Sequence, residues 1–469
     1  MPVIQFATNS YKSSALPLSA QRVVNLFAEK QPPDAKAQVA VFGAPGIVEF
    51  SSLGSGPIRG FVNLGGLLYV VSGGTLYSVT SAGLATELGG TITGSQVVSM
   101  DTNGTQIIIV NGVSGYIYTV IGGLQLITDT DFFAANTTTF FDQRFVFDKA
   151  DSNQFFICES LDGTSYDPLA IASAEARPDN VKAVILNQQV LLVFGDKTIE
   201  PWQDVGAPNF PFERVPGVVV ERGLLAPYAI AKADNTIFFL GENRVLYRLA
   251  GLTPQRVSNH AIETEWRNYT VVSDAHLFAY HFNGHEYVVV TFPSQPSTWV
   301  FDISSSLPHE RVSWDLNNNS YGRWRGNCHI NIYDKELIGD AFTGKIGYLD
   351  NTTYTEFGNT IQGNATGVHI NSDRKKLFCS NFELDIESGV GLTTGQGSDP
   401  QIMLEVSKDG GRTFGSLQKW KSMGALGAYQ QRLKWYRLGK GYDYVFRVTI
   451  SDPVKRTIIA AHADFTQGV

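Results

Sequence analysis

The sequence has few charged residues, few cysteines and no long hydrophobic run. Of its 469 residues, 17% are charged and three are cysteine. Cys158, Cys328 and Cys379 form no Cys-x-x-Cys pair and lie in strand-like runs, so we predict buried, reduced thiols. No segment approaches the roughly 20 apolar residues of a membrane helix, and the opening MPVIQFATNSYK lacks a signal-peptide pattern. We therefore expect a protein made in a cytoplasm, with no membrane anchor.

The sequence motifs of common enzymes are also missing. There is no Gly-x-Ser-x-Gly elbow, P-loop, His-Glu-x-x-His or glycine-rich dinucleotide turn. The neighbouring acids Glu263 and Glu265 are interpreted as part of an exposed strand, without a specific signal. We therefore predict no catalytic residue, no cofactor and no metal ligand in this chain.

Three histidines lie close together in the segment HLFAYHFNGHEYVVV. Its Asn-Gly pair favours a two-residue hairpin, which places His281 opposite Glu286. Because side chains alternate along a strand, His281 and His285 would then point to opposite faces. This geometry predicts a cross-strand pair between His281 and Glu286, with a metal site as the weaker alternative.

A repeat of short apolar strands runs from Gly56 to about Asn351, in a chain with 46 glycines and 12% aromatic residues. Apolar strands recur every 40 to 50 residues or so, the period of a four-stranded propeller blade. We predict an all-β fold with a β-propeller of about six to seven blades, or alternatively two stacked sandwiches. The predicted first strands of the repeats centre on Tyr69, Ile108, Val146, Leu192, Phe238, Val288 and Leu337.

The segments on either side of the repeat differ from it. Residues 1–55 show weak periodicity and a Pro-Pro-Asp turn, so we predict an extended N-terminal arm. The propeller is predicted over residues 56–354. From residue 355 to 469 the strands are longer, alternate better and are joined by glycine-rich turns, which predicts an antiparallel β-sandwich.

The stretch SKDGGRTFG, residues 407–415, fits the Asp box, Ser-x-Asp-x-Gly-x-Thr-aromatic, known from sialidases and other propeller glycosidases. The motif is a turn, in which a carboxylate accepts backbone N–H groups, glycines take positive φ and the aromatic ring packs on the sheet. A near copy, SLDGTSY, lies at residues 160–166. We predict a structural turn, with a sialidase-like glycosidase acting on surface glycans as the alternative. The predicted turn residues are Ser407, Asp409, Gly411, Thr413 and Phe414.

Charge is unevenly distributed along the chain. Residues 408–447 hold nine Lys or Arg and two Asp, a net charge of +7; since the whole chain carries −8, the remainder is net −15. On a strand, Arg432, Lys434 and Tyr436 would form a basic outer face over buried Leu433 and Trp435. Such a face can bind phosphates or a partner's carboxylates, or can simply be solvated. The predicted basic docking stripe comprises Lys408, Arg412, Lys419, Lys421, Arg432, Lys434 and Arg437.

Three parts of the chain, taken in order, carry a resemblance to a known family. The first part has an Asn-containing strand, a polar loop and a Pro-Gly-Ile turn; it is residues 22–50, RVVNLFAEKQPPDAKAQVAVFGAPGIVEF. The second part contains Thr-Ile-Glu and an Arg-Gly-Leu step; it is residues 190–241, VLLVFGDKTIEPWQDVGAPNFPFERVPGVVVERGLLAPYAIAKADNTIFFLG. The third part has an Asp-Gly turn in residues 404–415, LEVSKDGGRTFG. It also has the pattern Trp-x-Arg-x-Gly in residues 432–455, RLKWYRLGKGYDYVFRVTISDPVK. Together they resemble the packaged-DNA stabilisation proteins, or tail hub (nozzle) proteins, of P22-like short-tailed bacteriophages.

The resemblance implies a structural virion protein of the phage tail, made in the host cytoplasm, and not an enzyme. Six copies would form a ring below the portal and the head-to-tail adaptor. This ring would extend the channel for genomic DNA, help retain the packaged DNA until ejection, and dock a plug or needle and tail spikes or fibres. The acidic surplus outside the basic segment would let DNA slide without sticking. The loops depart from the family's pattern, so the resemblance assigns no partner-binding residues.

Overall fold

The computed structural model describes residues 3–468 with the exception of residues 5, 8, 55, 316–318 and 416–418. Strands rich in β-branched, aromatic and aliphatic residues make up almost all of the regular structure, because such residues fit a pleated, half-buried surface. Within these described residues there is one α-helix, α1 (His260–Arg267). The all-β fold class predicted from the sequence is confirmed.

In the described part of the chain, six short strands precede the repeat region. They are β1 (Val3–Ile4), β2 (Tyr11–Lys12), β3 (Ala20–Val24), β4 (Leu26–Lys30), β5 (Val39–Gly43) and β6 (Gly46–Ser52).

Within the described residues, the repeat region together with β6 forms seven antiparallel groups of four strands, and each group is one propeller blade. Five of the blades are separate four-stranded sheets, and the other two are parts of larger sheets. Blade one is β7 (Ile58–Leu64), β8 (Leu67–Ser72), β9 (Thr75–Val79) and β10 (Ala85–Gly89). Blade two is β11 (Ser99–Thr102), β12 (Gln106–Val110), β13 (Gly115–Thr119) and β14 (Gly123–Leu126). Blade three is β15 (Thr138–Phe141), β16 (Arg144–Asp148), β17 (Gln154–Glu159) and β18 (Asp162–Ser173).

Blade four is β19 (Val181–Asn187), β20 (Val190–Gly195), β21 (Ile199–Asp204) and β22 (Phe212–Arg214). Blade five is β23 (Ile230–Ala233), β24 (Thr236–Leu240), β25 (Leu246–Ala250) and β26 (Thr253–Arg256). Blade six is β27 (His276–Phe282), β28 (His285–Thr291), β29 (Thr298–Asp302) and β30 (Pro308–Asp315), extended by β31 (Ser320–Arg323). Blade seven is β32 (Gly326–Ile332), β33 (Lys335–Asp340) and β34 (Lys345–Asp350), with β6 as its fourth strand.

The blades close into a ring around a central channel. The first strand of every blade lines one cavity of about 410 Å³, and β32 of blade seven contacts β7 of blade one. The ring is closed by the N-terminal segment, because β6 pairs antiparallel with β34 and places Gly46 opposite Asp350. The predicted propeller is therefore present with seven blades.

The seven predicted repeat centres each lie in a different blade, but in its second strand, not its first as predicted. The reason is burial. A second strand has a hydrogen-bonded neighbour on each side and a blade packed on each face, so it is the most apolar of the four. Every residue of β12 after Gln106 is buried, whereas the whole of β11 stays half-buried where it borders the channel.

After blade seven, the residues that the structure describes form ten more strands. They are β35 (Thr355–Glu356), β36 (Asn359–Thr360), β37 (Gly363–Thr366), β38 (Ile370–Asn371), β39 (Leu377–Ile386), β40 (Gln401–Ser407), β41 (Lys419–Ser422), β42 (Leu433–Gly441), β43 (Asp443–Ile450) and β44 (Thr457–Gln467).

Most of these strands form a two-layer sandwich. One layer has the order β4-β5-β44-β39-β42 and the other contains β3-β37-β43-β40-β41. Between the layers, the rings of Phe382 on β39 and Phe446 on β43 stack with their centroids 4.3 Å apart. Aromatic pairs of this kind bury large apolar areas and fix how two sheets face each other.

The segment expected as an extended arm is built into both halves of the molecule. β3 lies between β30 of blade six and β37 of the sandwich, while β4 and β5 form a hairpin in the other sandwich layer. β6 then completes blade seven. Without these strands β30, β37, β44 and β34 would each have an unpaired edge, which explains why a segment of weak periodicity is nevertheless ordered.

Candidate functional site

The Asp-box stretch is a compact turn after β40. Asp409 Oδ1 accepts hydrogen bonds from the backbone N–H groups of Arg412 (3.1 Å) and Thr413 (3.0 Å) and from Ser407 Oγ (2.7 Å), and Oδ2 accepts one from Thr413 Oγ1 (2.6 Å). Desolvation raises the pKa of Asp409, but the hydrogen bonds from Thr413, Ser407 and Arg412 outweigh it and lower the pKa to about 2. Gly411, with φ of 80°, donates its N–H to Ser407 Oγ. All of these contacts are internal to the turn.

Phe414, the aromatic residue of the same stretch, is half-buried on the sandwich. The Arg447 guanidinium lies 3.9 Å from the centre of its ring and makes a two-pronged ion pair with Glu405. The near copy in blade three is simpler, since Asp162 accepts two hydrogen bonds from Thr164. The motif therefore organises a strand connection in both halves of the molecule.

The predicted basic residues lie on two edge strands that run side by side. Lys419 and Lys421 are on β41, the last strand of one sandwich layer, and Lys434 and Arg437 are on β42, the last strand of the other. The two strands are joined where Trp435 Nε1 donates to the backbone oxygen of Lys419 (2.8 Å). We call this surface, β41 and β42 with Arg432, the basic edge. Lys408 and Arg412 lie in the adjoining turn.

The basic edge has the two faces that the sequence pattern predicts. Leu433, Trp435 and Leu438 are buried, while Arg432 and Tyr436 are exposed. Arg437 adopts φ of 57°, which breaks the alternation so that both it and Tyr436 face solvent. Tyr436 is 64% exposed and Trp420, between the two lysines of β41, is 55% exposed.

Part of this positive charge is neutralised within the sandwich. Arg432 makes a two-pronged pair with Glu383, and Lys434 Nζ lies 3.8 Å from the same carboxylate. The ion pair with Arg432 lowers the pKa of Glu383. Among the residues that the structure describes, Lys419, Lys421 and Arg437 form no ion pair. These three cations and the aromatic rings beside them are the part of the basic edge that is open to a partner.

The three clustered histidines do not converge on one point. His281 Nε2 lies 3.1 Å from Glu286 Oε1 across the predicted hairpin, while His285 Nδ1 lies 2.8 Å from Asp302 Oδ2. His276 is buried in the channel wall. In the described part of the chain, no group of three or more His, Cys, Asp or Glu side chains could hold a metal ion.

The acid pair Glu263 and Glu265 does not lie on an exposed strand, as interpreted from the sequence, but on α1. Glu263 is fully buried and pairs with Arg256, and Glu265 accepts a hydrogen bond from the Tyr269 hydroxyl (3.1 Å). The helix is amphipathic over only eight residues, which is too short for its periodicity to stand out. Both acids are engaged in local structure.

Sequence reasoning missed Asn25, which ties the N-terminal segment to both halves. Its side chain donates to the backbone oxygens of Val312 (3.0 Å) and Gln362 (2.9 Å) and accepts from Val312 N (3.0 Å). Asn25 is fully buried and has φ of 53°, a conformation that asparagine tolerates better than most residues. The only sequence signal is an asparagine inside the apolar run VVNLF.

Two family models cover nearly the whole chain. Residues 5–354 match the model described as bacteriophage P22 Gp10, beta-propeller, and residues 365–466 match bacteriophage P22 Gp10, beta-sandwich. The chain belongs to the bacteriophage P22 Gp10 family. Membership in the Gp10 family confirms the predicted resemblance to P22-like tail hub and stabilisation proteins, and the fold of a propeller followed by a sandwich. It gives no support to the glycosidase alternative.

Solved structures similar to this Gp10-family chain are distant in sequence. The extracellular domain of the putative hybrid two component system BT4673 from B. thetaiotaomicron is 11% identical over 76% of this chain and 45% of that one, with a TM-score of 0.43. The WD40 propeller domain of Doa1 is 11% identical (65% and 97% covered, TM-score 0.39), and the N-terminal domain of Nup159 is 10% identical (71% and 99%, TM-score 0.38). This chain thus spans less than half of the first of these structures. No curated protein sequence matches it significantly.

The Gp10 family is one of structural phage tail proteins, so this chain is a virion component. No helix in the described ranges is both long enough and apolar enough to span a bilayer.

Proposed function

We propose that six copies of this chain form a ring below the portal and head-to-tail adaptor, and that the ring extends the DNA channel. The ring helps to retain packaged DNA, docks a plug or needle and tail spikes or fibres, and catalyses no reaction. The proposal rests on membership in the Gp10 family together with one structural observation, the basic edge.

The basic edge has the properties of a docking surface. Exposed edge strands offer unpaired backbone groups to a partner, and Trp420 and Tyr436 offer exposed rings of the kind enriched at interfaces. Lys419, Lys421 and Arg437 add positive charge, whereas the chain outside residues 408–447 carries net −15. Opposite charges of this kind favour contact between unlike surfaces.

A ring requires such contact between unlike surfaces. In a cyclic assembly of more than two copies, each copy uses two different patches, one for each neighbour. A basic edge on a molecule that is otherwise acidic supplies a complementary pair of surfaces. It also leaves an acidic remainder to face DNA, which then passes without binding. An assembled ring whose lumen is lined by basic side chains would contradict this last point.

The experiment is to mix the purified chain with portal–adaptor complexes and to follow assembly by analytical ultracentrifugation and electron microscopy. We expect a six-fold ring on the adaptor, and weaker assembly as salt is raised, because salt screens the charges. A monomer in the absence of the adaptor is compatible with the proposal. Failure to bind any portal–adaptor complex contradicts it.

A charge-reversal pair isolates the basic edge. The double variant Lys419→Glu and Lys421→Glu should weaken ring assembly by roughly tenfold or more, because like charges replace attraction. The control is Lys12→Glu with Lys197→Glu, which changes the net charge equally at exposed positions outside the sandwich edge. If both double variants assemble equally well, the basic edge is not the docking surface.

A further inference from the structure

One mouth of the propeller channel holds a second cavity of about 290 Å³. It lies where inner strands begin, between residues that precede or open β7, β11, β23, β27 and β32. Its walls include Tyr228, Asp274, His276, Arg323 and Asn327.

Four buried polar atoms on this cavity's wall lack a hydrogen-bond partner among the described residues. They are the Tyr228 hydroxyl, Asp274 Oδ1, His276 Nε2 and Arg323 Nη1. Arg323 and His276 are 8% and 3% exposed. Leaving one such atom unpaired costs about 1–3 kcal/mol, so four in one place indicate a group that is hydrogen-bonded there.

The remaining contacts of Arg323 and Asp274 hold these two side chains in position. Arg323 Nη2 donates to Asn327 Oδ1 (2.8 Å), and Asn327 Nδ2 donates to the backbone oxygen of Ile58 (2.7 Å). The other oxygen of Asp274 accepts from Ser294 N (2.9 Å). Two of the four unpaired atoms, those of Arg323 and Asp274, are therefore carried by side chains that are already anchored, as in a preorganised binding site.

The charges in the cavity balance. Arg323 supplies one positive charge and Asp274 one negative charge. Burial, reinforced by the positive charge of Arg323, lowers the pKa of His276 to about 3, so its ring is neutral at physiological pH. An anion bound here would lie beside the negative charge of Asp274, and a cation would lie beside the positive charge of Arg323, so either ion would be repelled by one wall of the cavity. A neutral group that both donates and accepts hydrogen bonds suits the site better.

Apolar surfaces flank these polar atoms. Pro57 and Pro293 lie on the cavity wall, and Phe342 is 42% exposed, with the Arg323 guanidinium 5.7 Å from the centre of its ring. A sugar ring presents hydroxyl groups that donate and accept, together with an apolar C–H face that packs on aromatic rings. We propose that this channel mouth binds a sugar residue, without cleaving it. The site is independent of the proposed ring assembly.

The test is saturation-transfer NMR with glucose, galactose, mannose, N-acetylglucosamine and rhamnose as probes. We expect at least one sugar to bind the wild-type chain. Its Kd should rise roughly tenfold in Tyr228→Phe, which removes one hydrogen-bonding group, and also in Phe342→Ala. Tyr442→Phe and Phe378→Ala are matched controls, since Tyr442 and Phe378 are exposed aromatic residues of the sandwich.

Circular dichroism establishes that each variant is folded, and if Phe342→Ala does not fold, Tyr228→Phe alone decides. Three results would overturn the proposal: no sugar binds, binding is unchanged in the variants, or sugar-soaked crystals contain only water in the cavity. Ring assembly on the adaptor would be unaffected by any of these results, so failure here is distinguishable from failure of the proposed function.

Discussion

At the scale of single residues, Asp409 shows how a motif shared with enzymes works as structure. Its carboxylate takes four hydrogen bonds from three residues of the same turn, and none leads to a pocket. The contacts stabilise the ionised carboxylate, which is why the pKa of Asp409 falls to about 2. Its contribution to stability must therefore depend on pH.

The change Asp409→Ala should lower the free energy of unfolding by about 1 kcal/mol at pH 7, a small value because the group is solvent-exposed. The folded pKa lies below the unfolded value of about 4. The stabilisation is therefore fully present above pH 4 and is lost as pH falls towards 2. Urea unfolding at pH 7 and at pH 2.5, followed by tryptophan fluorescence, should show the difference between wild type and variant shrinking.

Asp162→Ala is the matched control for this change, because Asp162 occupies the near copy in blade three and bonds to Thr164 alone among the described residues. Its effect at pH 7 should be smaller. Equal stability of Asp409→Ala and wild type at pH 7 would show that the turn hydrogen bonds contribute nothing.

The polar residues of the channel mouth could not have been predicted. Tyr228, Asp274 and Arg323 are far apart in sequence: Tyr228 and Asp274 lie in two different inter-blade connections, and Arg323 ends β31. Among the residues of this cavity, only His276 belongs to a cluster that is visible in the sequence, the three histidines of HLFAYHFNGHEYVVV. The other two histidines of that cluster do not line the cavity. Convergence of this kind depends on ring closure, which no local pattern encodes.

At the scale of elements, the seven blades were predictable because the second strand of each is a local signal. Each is a short run of buried apolar residues bounded by turns, as in QIIIV and VLLVFG. The hairpin that pairs His281 with Glu286 was predictable for a similar reason, since its two central residues, Asn283 and Gly284, adopt the positive φ values of 51° and 80° that such turns need.

The strands of the N-terminal segment were not predictable as partners. β6 pairs with residues 345–350, and β3 pairs with β30 and β37. Sequence periodicity reports which face of a strand is buried, but not which distant strand lies beside it. The sequence therefore predicts an arm, whereas β3 pairs with both halves, β4 and β5 lie in the sandwich and β6 lies in the propeller.

Asn25 tests this bridge. Asn25→Ala should lower the free energy of unfolding by about 2–4 kcal/mol, because the buried C=O and N–H of Val312 and the partly buried C=O of Gln362 lose their partner and alanine is strained at positive φ. Asn25→Gly separates these effects, since glycine adopts the backbone conformation without strain. Urea denaturation curves give both values. If Asn25→Gly were as stable as wild type, the side-chain hydrogen bonds would not matter.

Glu356 provides a second test, where β35 meets blades six and seven. Its carboxylate accepts hydrogen bonds from Arg311 (2.9 Å), Trp324 Nε1 (2.8 Å) and Ser313. Arg311 is fully buried. Glu356→Ala leaves that cation without its ion-pair partner and should cost about 3–5 kcal/mol.

Glu356→Gln is the conservative control, because it keeps the shape and one acceptor of Glu356, so a smaller loss is expected. Thermal unfolding followed by circular dichroism measures both changes. A Glu356→Ala variant with unchanged thermal stability would show that Arg311 is satisfied by other groups.

At the scale of the whole molecule, propeller and sandwich are interleaved by the first 52 residues. These residues supply the fourth strand of blade seven and strands of both sandwich layers. The boundaries proposed at residues 55 and 354 thus follow the sequence pattern, whereas the sheets share strands across them. Such a chain is expected to unfold with its two halves coupled.

Deleting residues 1–54 should therefore prevent stable folding of both halves, because it opens the ring and removes β3, β4 and β5 from the sandwich. Adding the separate peptide of residues 1–54 should restore native circular dichroism. The control is deletion of residues 1–9 alone, which leaves β3 to β6 in place. A deletion variant that keeps the wild-type spectrum and melting temperature would show that the two halves fold on their own.

Closure by β6 also has a consequence for biosynthesis. Gly46 leaves the ribosome 299 residues before Lys345, the first residue of its partner strand β34. At 5–20 residues per second, this interval lasts roughly 15–60 s. During this interval β6 has no strand to pair with, while the six blades that lie between β6 and β34 in the chain are synthesised. Nascent chains on crowded polysomes are thereby exposed to mispairing between neighbours, because the ring closes only after residue 350 has been made.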